Sequence, residues 1–263
     1  MLKTAFRQNT WDLINQFVKT EFKLKYNNSV LGFVWVLVKP LVIFLILFFV
    51  MSRVFPSTSE FFPLYLLLGT IISGHFNEAT SAGVNALLNK QGLILKVNFP
   101  RYIVVISALL LPVINFLINL SIYFVISITF FQKIPGVIGL AWFLVGYIMI
   151  FMLMLGFALF TSIWNVRLRD ISSIWELVLQ LIFWLTPVFY SVEVIEKKAT
   201  FAAFLISDLN PVTVFLQAAR SGFLYNRIDE PELMLIWLVG ASIFAFLGYL
   251  YFRKNVKKIA EDF

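Results

Sequence analysis

The sequence predicts an all-α integral membrane protein with six transmembrane helices, an N-terminal amphipathic helix at the membrane interface, and two short re-entrant or interfacial helices between spans five and six. Three observations support this class. Hydrophobic residues make up 60% of the 263 residues and charged residues only 13%, a composition typical of polytopic membrane proteins. Several uncharged runs exceed the roughly 20 apolar residues that a transmembrane helix needs. The cations also concentrate in alternate connections between these runs.

Residues 1–29 form the first predicted domain, a cytoplasmic interfacial segment, and residues 30–263 form a six-span membrane domain. Within residues 9–25, apolar and polar side chains occupy opposite halves of a helical wheel drawn at about 100° per residue. The apolar half contains Trp11, Leu13, Ile14, Phe17, Val18, Phe22 and Leu24. A helix of this kind lies at the headgroup boundary with its cations toward anionic lipid, so a membrane anchor is the simplest interpretation.

The first span covers residues 30–52, where Lys39 is the only charged residue. Five cations precede it, which predicts a cytoplasmic N-terminus; they are Lys3, Arg7, Lys19, Lys23 and Lys25. A charge at the centre of a span costs at least ~2.5–3.5 kcal/mol. Lys39 lies only roughly 14 Å into the helix, so its side chain is expected to snorkel toward the cytoplasmic headgroups.

The second span, residues 61–82, carries His75 and Glu78 one helical turn apart and therefore on one face. Ionisable groups at membrane depth usually face a bundle interior or a water-filled cavity. A proton relay and plain polar packing both fit this pair, and packing or a position at the interface is favoured. Residues 84–101 follow as the first sizeable cytoplasmic loop, which is predicted to contain a short surface helix.

Spans three and four are predicted at residues 102–132 and 134–166. The turn between them is tight, because Lys133 is followed closely by Pro135 and Gly136, and it makes the two spans antiparallel neighbours. Small residues that allow close helix packing occur in span four at Gly139, Gly146, Gly156 and Ser162.

A second cytoplasmic turn at residues 165–171 precedes span five, residues 172–191. Pro187 lies in this span and is expected to kink or end the helix, because proline has no backbone donor. The connection that follows contains two apolar segments, 199–206 and 212–224, which are each too short to cross the membrane. They are predicted to form re-entrant or interfacial helices.

Span six covers residues 233–252, and a cluster of four cations follows it.

The distribution of cations between the connections tests the predicted topology. If both termini, the loop between spans two and three and the turn between spans four and five are cytoplasmic, 14 of the 21 cations lie inside and only 6 outside. This bias predicts six spans with both termini in the cytoplasm.

Several classes of function are excluded or disfavoured. The sequence has no Gly-x-x-x-x-Gly-Lys-Ser/Thr loop for ATP and no catalytic motif. With no cysteine and one histidine, a metal site is not expected. Acids are nearly absent from the spans, which disfavours an ion-coupled carrier, and cytoplasmic loops explain the net charge of +7 better than nucleic acid does. A transport protein without an energy source is a channel, a facilitator or part of a larger machine, and the cytoplasmic segments favour the last.

Five separately placed motifs resemble the membrane (permease) subunit of bacterial ABC exporters of lipid-linked polysaccharide, the family of the O-antigen, capsule and teichoic acid exporters. The motifs are Lys23-x-Lys25-Tyr26-x-x-Ser29-x-Leu31-Gly32-x-x-Trp35 with Pro40-Leu41, Asn85-x-Leu87-Leu88-x-Lys90 leading to Phe99-Pro100-Arg101, Arg169-Asp170-Ile171, Leu179 to Pro187, and Asn210-Pro211-Val212-Thr213 with Ala218-x-Arg220 and Leu224. The sequence departs from the family at Lys39, where asparagine is usual.

The resemblance implies a homodimer that works with two copies of an ATP-binding cassette subunit, which would bind ATP and Mg, so that this chain needs no cofactor and has no catalytic residue. It implies export of an undecaprenyl-pyrophosphate-linked polysaccharide, O-antigen above all, across the bacterial inner membrane. It also assigns three groups of residues: Asn89, Lys90, Phe99, Pro100, Arg101, Arg169 and Asp170 to coupling with the ATPase; Lys25, Tyr26, Trp35 and Lys39 to a cytoplasmic gate where the substrate enters; and Asn210, Pro211, Thr213 and Arg220 to a periplasmic gate.

Alternatives to this interpretation remain open. The chain could be the permease of a related ABC exporter for drugs or small lipids, an ion-coupled secondary carrier, or a membrane-embedded transferase that uses His75 and Glu78. For Lys39, contact with a substrate pyrophosphate is the alternative to snorkelling. For the amphipathic helix, a gate for a lipid-attached substrate is the alternative to an anchor.

Overall fold

The computed structural model describes residues 2–26, 32–54, 61–97, 99–190, 192 and 200–259. Ser29 and Leu31 of the first motif lie outside these residues. The described part of the chain is helical, without a β-strand. Its elements are α1 (Leu2–Tyr26), a 3₁₀ turn (Gly32–Val34), α2 (Trp35–Val54), α3 (Phe62–Asn89), α4 (Gln91–Ile94), α5 (Tyr102–Phe131), α6 (Val137–Arg167), α7 (Ile171–Leu185), α8 (Thr200–Ser207), α9 (Pro211–Tyr225) and α10 (Pro231–Asn255).

Helices α3 and α6 form the centre of the bundle. Helix α6 packs against α3, α9 and α10, and α3 also packs against α5. Their buried side chains form one continuous apolar cluster. The helices α2 and α7 lie at the periphery and expose apolar side chains, including Val42, Leu45, Ile46, Phe49, Ile174, Leu177, Leu181 and Trp184.

Glycines let α6 approach its neighbours closely, as the sequence predicts. A Cβ atom on Gly139 would lie 2.0 Å from the carbonyl oxygen of Gly222 on α9, so the two backbones touch. A Cβ atom on Gly156 would lie 2.4 Å from the ring of Phe244 on α10. Any larger residue at these positions would push the helices apart.

Within the described ranges, four helices are long and apolar enough to cross a membrane: Gly32–Arg53, Tyr102–Phe131, Val137–Arg167 and Pro231–Asn255. The pair Phe201–Ser207 and Pro211–Tyr225, bent by 73°, would make a fifth. The other two predicted spans differ from this pattern. Helix α3 is long, but polar residues in its centre lower its hydropathy. Helix α7 has 15 residues, roughly 22 Å, because Pro187 ends it near Leu185, as the sequence predicts.

The prediction of a loop at residues 84–101 is wrong for its first half, which is helical. Helix α3 continues to Asn89, because no proline interrupts this stretch and burial of Val84, Ala86 and Leu87 in the bundle outweighs the low helix propensity of Gly83. The predicted short helix then follows as α4.

Helix α1 includes the predicted amphipathic helix but is docked on protein. It packs against α5, with Ile14 buried and the rings of Phe17 and Phe99 5.7 Å apart. Trp11 and Leu24 of the predicted apolar half are 65% and 69% exposed. The apolar half therefore faces the bundle only in part, and the position of this helix at the membrane interface stays a prediction.

Candidate functional site

A cleft of ≈ 580 Å³, with apolar and polar side chains on its wall, lies between the end of α1 and helices α2, α3, α5 and α7. All four residues predicted for the cytoplasmic gate line it, and so do both ionisable residues of the second predicted span. The side chains with polar groups on its wall are Lys25, Tyr26, Trp35, Lys39, Thr70, Ser73, His75, Asn77, Glu78, Ser81, Asn115 and Asn119. The fold therefore brings together residues that are up to 94 positions apart in the sequence.

A hydrogen-bond network crosses the cleft from α1 to α3 and α5. The ammonium of Lys25 lies 2.5 Å from Glu78 Oε1, and Asn115 Nδ2 donates to the same oxygen at 2.7 Å. The hydroxyl of Tyr26 donates to Asn115 Oδ1 at 3.2 Å. Burial alone lowers the pKa of Lys25, but the Glu78 carboxylate outweighs burial and the pKa lies above its usual value.

Lys39 lies on the cleft wall without such a partner. It is exposed, and among the described residues it forms no ion pair. Trp35, one helical turn earlier on α2, lines the same cleft and is 49% exposed. The cleft therefore presents one unpaired cation beside an accessible aromatic ring, an arrangement suited to an anionic group attached to an apolar or sugar surface.

His75 is packed among aromatic rings. Its ring stacks on Phe116 at 4.3 Å between centroids, and its Nε2 lies 3.5 Å from the Tyr147 hydroxyl. His75 is only 4% exposed, and no hydrogen bond joins it to Glu78 in the described part of the chain. This arrangement fits polar packing better than a proton relay between the two residues.

The residues predicted to couple to an ATPase lie on one side of the molecule, and some of them are used within the chain. Lys90 lies 3.3 Å from Glu21 of α1, and Arg101 donates to the carbonyl oxygen of Val256. Phe99 packs on α1 and Pro100 is half-buried. Three of the predicted coupling residues are exposed, namely Asn89, Arg169 and Asp170.

The residues predicted for a periplasmic gate also meet, at the turn after α7. The buried guanidinium of Arg220 donates to the carbonyl oxygens of Pro187, Val188 and Tyr65 at 2.8, 2.9 and 3.1 Å. Asn210 caps α9 by accepting from Val212 N, and it donates to Thr186 Oγ1 at 3.0 Å. Pro211 begins α9 and Thr213 is buried. None of these side chains lines the cleft, and together they form a packed cluster.

Sequence reasoning missed Asn115, which organises the network in the cleft. The available signal was a pair of amides one helical turn apart, Asn115 and Asn119, in a helix without a charged residue. A buried amide must find hydrogen-bond partners, so Asn115 marks a position where polar groups from other helices meet.

Comparison with known proteins agrees with this architecture. The family described as ABC-2 type transporter matches residues 12–224. The chain is 24% identical over 257 residues to the O-antigen export system permease protein RfbA of Myxococcus xanthus. It is 21% identical over 255 residues to the protein of the same name from Klebsiella pneumoniae. Each alignment covers 95% of both chains. Because the family match covers most of the chain, this integral membrane protein belongs to the ABC-2 type transporter family.

Proposed function

We propose that the chain is the transmembrane subunit of an ATP-driven exporter that moves an undecaprenyl-pyrophosphate-linked polysaccharide, most specifically O-antigen, across the bacterial inner membrane. The family and the names of the two relatives support an exporter subunit. The observation that carries the proposal is the cleft, because an accessible cation and an aromatic ring share its wall with the Lys25–Glu78 pair.

The cleft is the proposed cytoplasmic entrance for the substrate. Its volume of ≈ 580 Å³ lies within the range of small-molecule sites, about 300–1,000 Å³, and suits a pyrophosphate with the adjoining sugar. Lys39 would then contact the pyrophosphate, and Trp35 would stack on the sugar or on the lipid. The position of Lys39 on the cleft wall favours this role over snorkelling alone.

The proposed topology has six spans and cytoplasmic termini. Contacts join α1, the α4 region and the end of α10 on one face, through Glu21–Lys90 and Arg101–Val256. On the opposite face, Asn226 accepts a hydrogen bond from Gly139 N. The first face carries the cation-rich segments, so the positive-inside rule supports a cytoplasmic location for it. Helix α3, with 28 residues, is roughly 42 Å long, enough to cross.

The partners in this proposal are a second copy of the chain and two ATP-binding cassette subunits that bind ATP and Mg. Helices α2 and α7 expose apolar faces, and both helices border the cleft, α7 through Phe183. These apolar faces beside the cleft are the proposed contact with the second copy. The exposed residues Asn89, Arg169 and Asp170 are the proposed contacts with the ATPase.

The test is a pull-down of the tagged chain in mild detergent from its native host. We expect an ATP-binding subunit with a phosphate-binding loop at about one copy per permease chain. Deletion of the gene should then leave a lipid-linked glycan inside the cell. A chain that purifies alone and transports in liposomes without ATP would contradict the proposal.

A further inference from the structure

The carboxylate of Glu78 occupies the cleft in the way that a bound anion would. It faces the Lys25 ammonium at 2.5 Å and accepts from the Asn115 amide at 2.7 Å. The hydroxyl of Tyr26 donates to the oxygen of the same amide. The NH₂ group of Asn115 is therefore directed toward Glu78. Lys39 lines the cleft as well.

We propose that Glu78 is an internal stand-in for an anionic ligand. Lys25, Asn115 and Lys39 form a binding site for a phosphate-class oxyanion, and Glu78 fills part of that site until the ligand displaces it. This inference rests on the proposed function, because it names the part of the substrate that the entrance recognises.

The chemistry of the donors supports an oxyanion of higher charge than a carboxylate. Lysine ammonium and amide NH₂ groups have only donors to offer here, and phosphate oxygens accept from both. With Glu78 in place, the two lysines and one carboxylate leave a net charge of one positive unit. A pyrophosphate would engage both lysines, whereas Glu78 engages only Lys25.

A ligand can reach the ion pair of Lys25 and Glu78, and displacing Glu78 from it costs little free energy. The side chains of Lys25 and Glu78 are 45% and 32% exposed, so a ligand in the cleft can reach them, and ion pairs of such exposure contribute little to stability. Since Lys25 lies in the last turn of α1, release of Glu78 would free this lysine from α3, while Tyr26 still joins the same turn to Asn115 of α5.

The experiment measures the affinity of two probes for the full-length chain in detergent by calorimetric titration. The probes are inorganic pyrophosphate and farnesyl pyrophosphate, a soluble prenyl pyrophosphate. We expect Glu78→Gln to bind at least one probe about threefold more tightly than the wild type, the size of effect that loss of an exposed ion pair supplies. A gain with inorganic pyrophosphate alone identifies a free phosphate as ligand, a gain with both probes shows that the oxyanion suffices without the prenyl chain, and a gain with the prenyl probe alone identifies a lipid headgroup.

Two further variants control the result. Glu176→Gln makes the same change of charge on α7, outside the cleft, and should leave both affinities within about twofold of the wild type. Lys39→Ala disrupts no described ion pair, so it should fold, and it should weaken binding roughly tenfold or more. Size-exclusion chromatography verifies the fold of each variant.

Equal affinity of Glu78→Gln and wild type, an equal gain in Glu176→Gln, unchanged affinity in Lys39→Ala, or no binding by any form would each overturn the proposal. These outcomes are separate from the failure of the exporter function. A chain that purifies with its ATPase but shows no gain in Glu78→Gln loses only the anion site.

Discussion

At the level of single residues, the groups that contact each cation decide what it can do. Lys25 is bound to Glu78 and Lys90 to Glu21, whereas Lys39 has no ion pair among the described residues and lines the cleft. Arg220 is buried, and three backbone carbonyl oxygens surround it. The sequence alone presents all four as charges near or within apolar segments. Only the contacts of the described residues show that three of them are bound within the chain and that Lys39 has no ion pair.

Lys39→Ala should reduce export of the lipid-linked glycan roughly tenfold or more, because hydrogen bonds to charged groups contribute about 1.5–3 kcal/mol. Export is measured in cells, with the amount of protein in the membrane measured by immunoblot. Lys39→Arg should retain most activity, and Lys133→Ala, in the turn between α5 and α6, should retain all of it. Normal export by Lys39→Ala at normal protein levels would remove the substrate role.

Arg220→Leu should lower the free energy of unfolding by about 3 kcal/mol, because it leaves buried carbonyl oxygens without donors. Thermal unfolding in detergent measures this change. The control is Arg227→Leu, which removes an exposed pair with Asp229 and should cost less than about 1 kcal/mol. If Arg220→Leu instead is as stable as the control but does not export, the residue acts as a gate.

At the level of helices, close contacts between backbones hold the bundle. Gly139 of α6 meets Gly222 of α9, and Gly156 of α6 meets Phe244 of α10. By contrast, a Cβ atom added at Gly240 of α10 would meet nothing within 4 Å. The same residue type thus serves close packing at two positions and faces open space at the third.

Gly139→Ala should destabilise the protein by about 1–3 kcal/mol, the usual effect of overpacking. Gly240→Ala should be neutral or stabilise it by up to about 1 kcal/mol, because alanine favours a helix more than glycine does. Unfolding midpoints of the two variants in the same detergent provide the comparison. Equal midpoints would contradict the contact between α6 and α9.

The ion pair between Glu21 and Lys90 makes a distinct prediction about α1. Lys90→Glu alone should reduce ATP-driven export severalfold, because it opposes two carboxylates across the contact between α1 and the end of α3. The double variant Glu21→Lys with Lys90→Glu should recover to within about twofold of the wild type, since the pair is restored in reverse. Failure of the double variant to recover would assign Lys90 to the ATPase instead.

At the level of the whole molecule, two opposite faces can be recognised from their contacts. One joins Lys90 to α1, Arg101 to Val256 and Arg167 to Asn255. The other joins Phe61 to Lys133, whose ammonium lies 4.6 Å from the ring centroid, and Gly139 to Asn226. These faces contain the connections that the charge bias assigns to the cytoplasm and to the outside, respectively.

The absence of cysteine makes this topology directly testable. A single cysteine introduced at Ile228, which is 49% exposed, should react with a membrane-impermeant maleimide in spheroplasts. A cysteine introduced at Arg169 should react only after the inner membrane is opened. Labelling of both positions in intact spheroplasts would contradict six spans with cytoplasmic termini.

The sequence by itself determined the all-helical class, the four most apolar spans, the end of α7 before Pro187 and the break between α8 and α9. These features depend on local properties, namely the length of an apolar run and the position of a proline, which neighbouring residues along the chain suffice to define. The family motifs also drew attention to Lys25, Tyr26 and Trp35, and Lys39 stood out as the departure from the motif.

Only the tertiary structure decided what these residues face. It joined Glu78 to Lys25 and to Asn115, docked α1 on α5, extended α3 through the predicted loop, and turned Arg220 into the support of a buried turn. The physical reason is that hydrogen bonds and ion pairs between helices depend on which faces pack together, and the period of a helix does not specify its partner. The polar residues in the centre of α3, which lower its hydropathy, are explained only by their place on the wall of a cleft that five helices share.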